Sequence, residues 1–334
     1  MKPASNSYSL AWAIDYLGLL GVLAIMLIVF GTQTDYFWTW QNFITIANQL
    51  PEFTLLAIGM TFVLIIGGID LSVGSVFALS GIVTGVAAVR WGWPIPLAMP
   101  LGVFVGGCCG FLNGFVSEKW KIPSFIVTLG MLEIARGSEL LIAKSETQYI
   151  GPDIEFWGRP IVGIGIAPSV PLALFIVVIA QIVLMKTVFG RYLFAIGDNE
   201  DAVRLSGIYA RPVKVTVFVI SGLLAGLAGL LQVSRMGSAD PAVGVGFELS
   251  AIAAAVIGGT SLMGGRGSIL KSFLGVLVIA VLDSGLVQLD TPFNARRIVT
   301  GLVIVLAVIL DAYRQQISWG DLRARLFGRR KTVA

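Results

Sequence analysis

Glu133, Arg136 and Glu139 stand three residues apart inside the otherwise apolar run MLEIARGSELL. A charged group at the centre of a bilayer costs at least about 2.5 to 3.5 kcal/mol on insertion scales, so each needs a partner. Residues three apart share a helix face, and Arg136 can tie both carboxylates into one ion-pair ladder. A second chemistry is open to the same residues. Beside a water-filled path, the guanidinium of Arg136 can donate hydrogen bonds to the hydroxyls of a passing solute. Asp70 and Ser72, in GIDLSVGS, offer a similar choice between capping the helix that follows and touching a solute. Glu248 comes directly after the polar stretch SRMGSADPAVGVGF, which also holds Asp240, and a carboxylate there suits the positive end of a helix.

A polar segment of another kind runs from Phe189 to Pro212, FGRYLFAIGDNEDAVRLSGIYARP. Within it NEDAVRL predicts a short helix, capped by Asp198 or Asn199, with Glu200 and Asp201 at its positive end and Gly207 stopping it. Glu200 and Arg204 are four apart and are expected to pair on the exposed face, leaving Ala202, Val203 and Leu205 for a partner surface.

Several chemistries are disfavoured. There is no histidine, the commonest metal ligand and the only side chain that titrates near neutrality unaided. Cys108 and Cys109 are adjacent in an apolar run and read as packing residues. The nearest approach to a P-loop, Gly264 to Ser272, carries Leu270 where the second glycine is required, so the chain is not expected to bind ATP. The Gly163/Gly165 and Gly244/Gly246 pairs lack the third glycine of a dinucleotide site and read as turns.

The elements that position these groups are membrane helices. The 334 residues are 56% hydrophobic and 13% charged, with a mean hydropathy of +0.89. Apolar runs long enough to span recur near 14–32, 51–67, 71–89, 96–117, 123–143, 170–187, 214–233, 249–263, 269–289 and 296–313. No small-x-small cleavage pattern follows the first, which reads as a retained span. Sixteen of the 23 Lys and Arg residues fall on one side if the N-terminus is cytoplasmic, so both termini are expected there. Asp283, inside the ninth run, is expected to bond a neighbouring helix. The basic tail from 314 to 334, with Arg323, Arg325, Arg329, Arg330 and Lys331, is expected to anchor on anionic lipid; nothing indicates nucleic-acid binding. Two glycine-interrupted segments share a pattern: Gly67-Gly68 with Leu71 and Gly74, and Gly258-Gly259 with Leu262 and Gly265. Such breaks mark transporter sites, because unwound backbone survives at membrane depth only against protein or water.

These stretches carry a family resemblance. GRYLFAIGDNEDAVRLSGI, IIGGIDLSVGS, AIAAAVIGGTSLMGGRGS, LNGFV at 112–116, IPSFIVTLGML at 122–132 and Ala135-Arg136-Gly137 resemble the permease subunits of ribose-type bacterial sugar ABC importers, in the superfamily shared with branched-chain amino acid permeases. The resemblance runs from about residue 55 to 313 and implies a single transmembrane permease domain, residues 1–313, whose loop 189–212 couples to a separate ATPase. On that reading Gly197, Asn199, Glu200, Ala202, Arg204, Leu205 and Gly207 serve the coupling, and Asp70, Ser72, Asn113, Thr128 and Arg136 line the solute path. Asp240 and Glu248 then face an extracytoplasmic solute-binding protein. Asp198 and Ser250 depart from the family's more usual residues.

The expectation is an all-α membrane protein of about ten transmembrane helices with a cytoplasmic coupling helix between spans six and seven, in a bacterial inner membrane. It would pass a monosaccharide or related polyol, paired with a second permease copy or paralogue. ATP and Mg2+ would sit in the partner ATPase, and no cofactor or metal on this chain. Two alternatives stay open: an ion-coupled secondary transporter acting alone, with Asp70, Glu133 and Glu139 binding the ion, and an ABC permease for branched-chain amino acids.

Overall fold

The computed structural model describes residues 5–316, so Lys2 and the basic residues of the expected lipid-anchoring tail, Arg323 to Lys331, lie outside the described residues. In chain order the helices are α1 (Ser5–Gln33), α2 (Trp40–Ile65), α3 (Val73–Val89), α4 (Ile95–Trp120), α5 (Ser124–Ala143) and α6 (Ser169–Lys186). There follow α7 (Val188–Leu205), α8 (Ala210–Met236), α9 (Phe247–Ile257), α10 (Ile269–Gln288) and α11 (Phe293–Gln316). A helix stands on each apolar run, and α7 is the additional one, in the polar segment. Among the described residues six helices are long and apolar enough to cross a membrane: α1 from Tyr16 onward, α2, α4, α6, α8 and α10. The protein is therefore an all-α, multi-pass membrane protein.

Three boundaries differ clearly from expectation: α1 begins at Ser5 rather than near 14, α9 ends at Ile257 rather than near 263, and the start of α2 shifts most. α2 begins at Trp40 rather than near 51, with Pro51 buried inside it. Thr39 starts the helix, accepting a hydrogen bond from the Asn42 N–H at 3.4 Å. A proline inside a membrane helix is tolerated where neighbouring groups absorb the backbone bond it forgoes, so Pro51 is not a boundary.

α8 stands at the centre, against α2, α3 and α4. Nearly every residue of α3 is buried, which fits a helix that is apolar all round. Small residues set the closest crossing. A Cβ at Gly106 would strike the Gly222 carbonyl oxygen, and one at Gly110 the Phe218 carbonyl oxygen, so α4 and α8 touch backbone to backbone. At one end of the bundle Gln148–Tyr149 pairs antiparallel with Ser238–Ala239, joining the segment after α5 to the segment after α8. Asp283 of α10 pairs with Arg296 of α11 at 3.2 Å, the interhelical bond expected of it. Cys108 is exposed and Cys109 buried, and both are free thiols.

Candidate functional site

Both glycine-rich segments break the bundle in the same way. After α2, the N–H groups of Gly67 and Gly68 bond the carbonyls of Leu64 and Val63 at 2.9 and 3.0 Å. After α9, those of Gly259 and Thr260 bond the carbonyls of Val256 and Ala255 at 2.7 and 2.9 Å. Gly67 and Gly259 take φ of +74° and +79°, the left-handed conformation that ends a helix and that glycine adopts without strain. The geometric equivalents are thus Gly67 and Gly259, one residue out of step with the matching of Gly67 to Gly258 that the letters suggest.

The extended chain between α2 and α3 is held by its own Asp70 and Ser72 and by side chains from three helices, α4, α5 and α8. Asp70 is buried and accepts three bonds: from the Ser72 N–H at 3.0 Å, the Ser72 hydroxyl at 2.7 Å and the Ser221 hydroxyl of α8 at 3.1 Å. Asn113 of α4 donates to the Ser72 hydroxyl at 2.9 Å. From α5, Thr128 accepts from the Leu71 N–H at 3.0 Å and Ser124 from the Ile69 N–H at 2.9 Å. Asp70, Ser72, Asn113 and Thr128 therefore come together as one polar knot at the break. Ser124 and Ser221 complete it and were missed by sequence reasoning, because a lone serine in a span has no spacing partner to flag it.

The capping expectation for Asp70 and Ser72 needs correcting. Ser72 does occupy the position before α3, but its hydroxyl turns back to Asp70 and caps nothing. The second break has its own hydroxyl cluster: Ser272 of α10 meets Thr61 of α2 at 2.8 Å and Thr260 at 3.3 Å, all three buried. These groups can each donate and accept, the chemistry that suits hydroxylated solutes. Asn113 Oδ1 is buried without a hydrogen-bond partner among the described residues.

Arg136 lies apart from this knot. Its guanidinium donates to Glu139 at 2.9 Å and to the Val243 carbonyl at 2.8 Å, tying α5 to the turn before α9. Glu133 is exposed, so the ladder forms only as its Arg136–Glu139 half. Glu248 sits in the first turn of α9 as expected, with its carboxylate against Gly74 of α3. Asp240 accepts from the Ala242 N–H at 2.7 Å and the Thr147 hydroxyl at 3.4 Å, bonds that hold its loop.

The polar segment is helical from Val188, with the Thr187 hydroxyl accepting from the Gly190 N–H. It kinks at Asn199, whose φ and ψ of −159° and 96° interrupt the helix. Beyond the kink, Asn199 Oδ1 accepts from the Ala202 N–H at 2.9 Å, and Gly207 turns the chain with φ +80°. The short capped helix over residues 200–205 is thus present. Its pairing differs from expectation: Arg204 bonds Asp201 at 3.1 Å, while Glu200 bonds Lys214 of α8 at 3.1 Å. Lys214 also contacts Glu118, buried at the end of α4, which Lys121 reaches at 3.3 Å. Local spacing favoured Arg204, but the partly buried Lys214 gathers two carboxylates, Glu118 and Glu200. Val203 is buried rather than presented, leaving Ala202, Arg204, Leu205 and Gly207 on the exposed face.

Two further ionic ties escaped the sequence reading. Arg235 of α8 grips Glu52 of α2 with two bonds, 2.8 and 3.1 Å, and Arg90 bonds Glu146 at 3.1 Å. Among the described residues no group of three or more His, Cys, Asp or Glu is placed to hold a metal ion.

Comparison with known proteins fits this arrangement. The family described as branched-chain amino acid transport system, permease component, matches residues 42–308. The ribose import permease protein of Haemophilus influenzae is 36% identical over 320 residues, covering 94% of this chain and 98% of that one. The ribose import permease protein of Bacillus subtilis is 39% identical over 86% of this chain and 90% of its own length. The D-allose transport system permease protein of Escherichia coli is 36% identical over 91% and 93%. No solved structure matches the chain. With the match spanning both glycine breaks, the Asp70 knot and the kinked segment between them, the chain belongs to this family of transport permeases, as a member of the ribose type.

Proposed function

We propose that the chain is the membrane subunit of an ATP-driven importer of a monosaccharide or related polyol. The observation that carries the proposal is the full-length likeness to sugar-import permeases, including those for ribose and allose. In this reading the chain crosses a bacterial inner membrane ten times, with both termini cytoplasmic, and works beside a second copy or paralogue. An extracytoplasmic binding protein delivers the cargo against the segment holding Asp240 and Glu248. A separate ATPase, with its ATP and Mg2+, docks on the face that carries Ala202, Arg204, Leu205 and Gly207.

Leu205, 85% exposed beside Arg204, is the natural anchor for such a partner. The hydroxyl and amide groups at the two breaks give a solute without charge a succession of exchangeable partners.

Reconstitution tests this directly. Vesicles carrying the chain, its ATPase subunit and the binding protein should accumulate at least one of ribose, allose, fructose and arabinose only with ATP inside the ATPase-facing compartment. Leu205→Asp should release the ATPase on co-purification and stop uptake while leaving the chain in the membrane. Accumulation of cargo by the chain alone, without ATP, would refute the proposal in favour of an ion-coupled carrier.

A further inference from the structure

The kinked segment touches both glycine breaks at one point, and it does so with backbone alone. A Cβ at Gly197 would overlap the Ile65 carbonyl oxygen at the end of α2, and would come to 2.5 Å from the Gly265 nitrogen. A Cβ at Gly264 would lie 2.8 Å from the Gly197 carbonyl oxygen and 3.0 Å from the Gly67 nitrogen. One at Gly265 would lie 3.2 Å from Asp198 Cα and 3.4 Å from its Cβ. The Gly265 N–H closes the group, donating to the Ile65 carbonyl at 2.9 Å. Three pieces of chain therefore meet with no side chain between them: the first break at Ile65–Gly67, the second at Gly264–Gly265, and the α7 kink at Gly197–Asp198.

Each piece is also where its own helix gives out. Gly67 and Gly259 turn left-handed, Gly264 and Gly265 have φ of +89° and +72°, and Asn199 leaves the helical region. Close-packed interiors respond to displacement by repacking between discrete arrangements and deform little in between. A shift of the short helix over 200–205 thus has no soft side chain to absorb it before it reaches the breaks. Glu200, in the first turn of that helix, bonds Lys214 of α8, which also meets Glu118 of α4, so the end of the helix next to Gly197 is tied to the bundle.

We infer that Gly197 and Asp198 are positioning residues that pass movement of the ATPase-facing helix into both glycine breaks at once, so the two breaks open and close together. The inference rests on the importer reading above. Gly197, grouped by its motif with the residues that meet the ATPase, is then turned inward, and its partner is the chain's own backbone.

The test separates the contact from the importer reading by measuring three things: assembly, ATP hydrolysis and uptake. Gly197→Ala should co-purify with the ATPase subunit and hydrolyse ATP within about twofold of wild type. Its uptake of whichever of ribose, allose, fructose and arabinose the wild type accumulates should fall at least tenfold. A second variant compares a protein with itself: Asp198→Cys with Gly265→Cys, in a chain carrying Cys108→Ser and Cys109→Ala. The Cβ separation is close to the ~3.5–4.5 Å that a disulfide spans. Gly265 has φ +72°, so a cysteine there should lower uptake below wild type even when reduced; oxidation should abolish the uptake that remains and reductant should restore it, while ATP hydrolysis continues throughout. Uptake near the wild-type rate in Gly197→Ala, or in the fully oxidised pair, overturns the inference. Failure of both variants to assemble overturns it too, because the contact then serves folding. If the wild type itself accumulates cargo without ATP, it is the importer reading that fails.

Discussion

Replacing Glu52 should damage the protein more than any change to its exposed ion pairs, and the structure says by how much. The carboxylate is 3% exposed and receives two bonds from Arg235, whose side chain is 27% exposed. Breaking a buried pair by removing one partner costs about 3 to 5 kcal/mol, mostly from the charge left stranded. Arg235 keeps some access to solvent, which lowers the expectation for Glu52→Leu to about 2 to 4 kcal/mol. Glu52→Gln keeps one acceptor and should lose roughly half as much. The double change Glu52→Leu with Arg235→Met removes both charges together and should recover stability to within about 1 kcal/mol of wild type, as apolar replacements of buried pairs do. Equilibrium unfolding in dodecyl maltoside with increasing dodecyl sulfate, followed by circular dichroism, measures all three and gives the coupling energy of the pair. A loss under about 1 kcal/mol for Glu52→Leu, or a double variant no better than that single one, would refute the reasoning.

Three other outcomes follow from named contacts. Glu118→Gln should cost about 2 to 3 kcal/mol in the same unfolding measurement, and Glu200→Gln no more than about 1, because Glu118 is 4% exposed and Glu200 40%; equal losses would show that Lys214 does not depend on the buried partner. Gly110→Val places a branched side chain onto the Phe218 carbonyl oxygen and should cost at least about 1 to 3 kcal/mol, seen as lost monodispersity on size-exclusion chromatography. An unchanged elution profile would contradict the backbone-to-backbone crossing of α4 and α8. Asp70→Asn turns one of two acceptor oxygens into a donor facing Ser72 or Ser221, and should lower uptake at least tenfold with normal protein in the membrane; normal uptake would place the knot outside the solute path.

Reach along the chain decides what the sequence could reveal. Helices announce themselves over some twenty neighbouring residues, and a helix stands on each apolar run. Local bonds were legible too: Asn199 caps as its neighbours required, and Arg136 meets Glu139 one turn away. Legibility failed where the partner is remote. Glu52 and Arg235 are 183 residues apart, and Ser221 reaches Asp70 across 151, distances over which no spacing rule operates. Glu200 had a neighbour in Arg204 and a remote partner in Lys214, and the remote, partly buried one prevails because a partly desolvated ammonium gains more from a carboxylate than a solvated guanidinium does.

Glycine shows a different kind of failure, since one letter serves two physical purposes. Gly67 and Gly207 are used for positive φ, whereas Gly106, Gly110 and Gly197 sit within helices and are used because a Cβ would strike a neighbouring carbonyl oxygen. Gly190 and Gly197 both lie inside α7, which begins at Val188, well before the short helix expected at NEDAVRL. The same ambiguity accounts for the slip between the two breaks. In the first, Gly67 turns the chain and Gly68 packs, with its Cβ position 3.2 Å from Val63 and 3.3 Å from Ser124. In the second the order is reversed: Gly258 packs, 2.6 Å from the Lys271 backbone, and Gly259 turns. Matching letter to letter therefore aligns a turning glycine with a packing one. The two breaks superpose by hydrogen bonding only when shifted by one residue, which means that the shared feature is the helix-ending turn, and that the glycine beside it is set separately by what each break packs against.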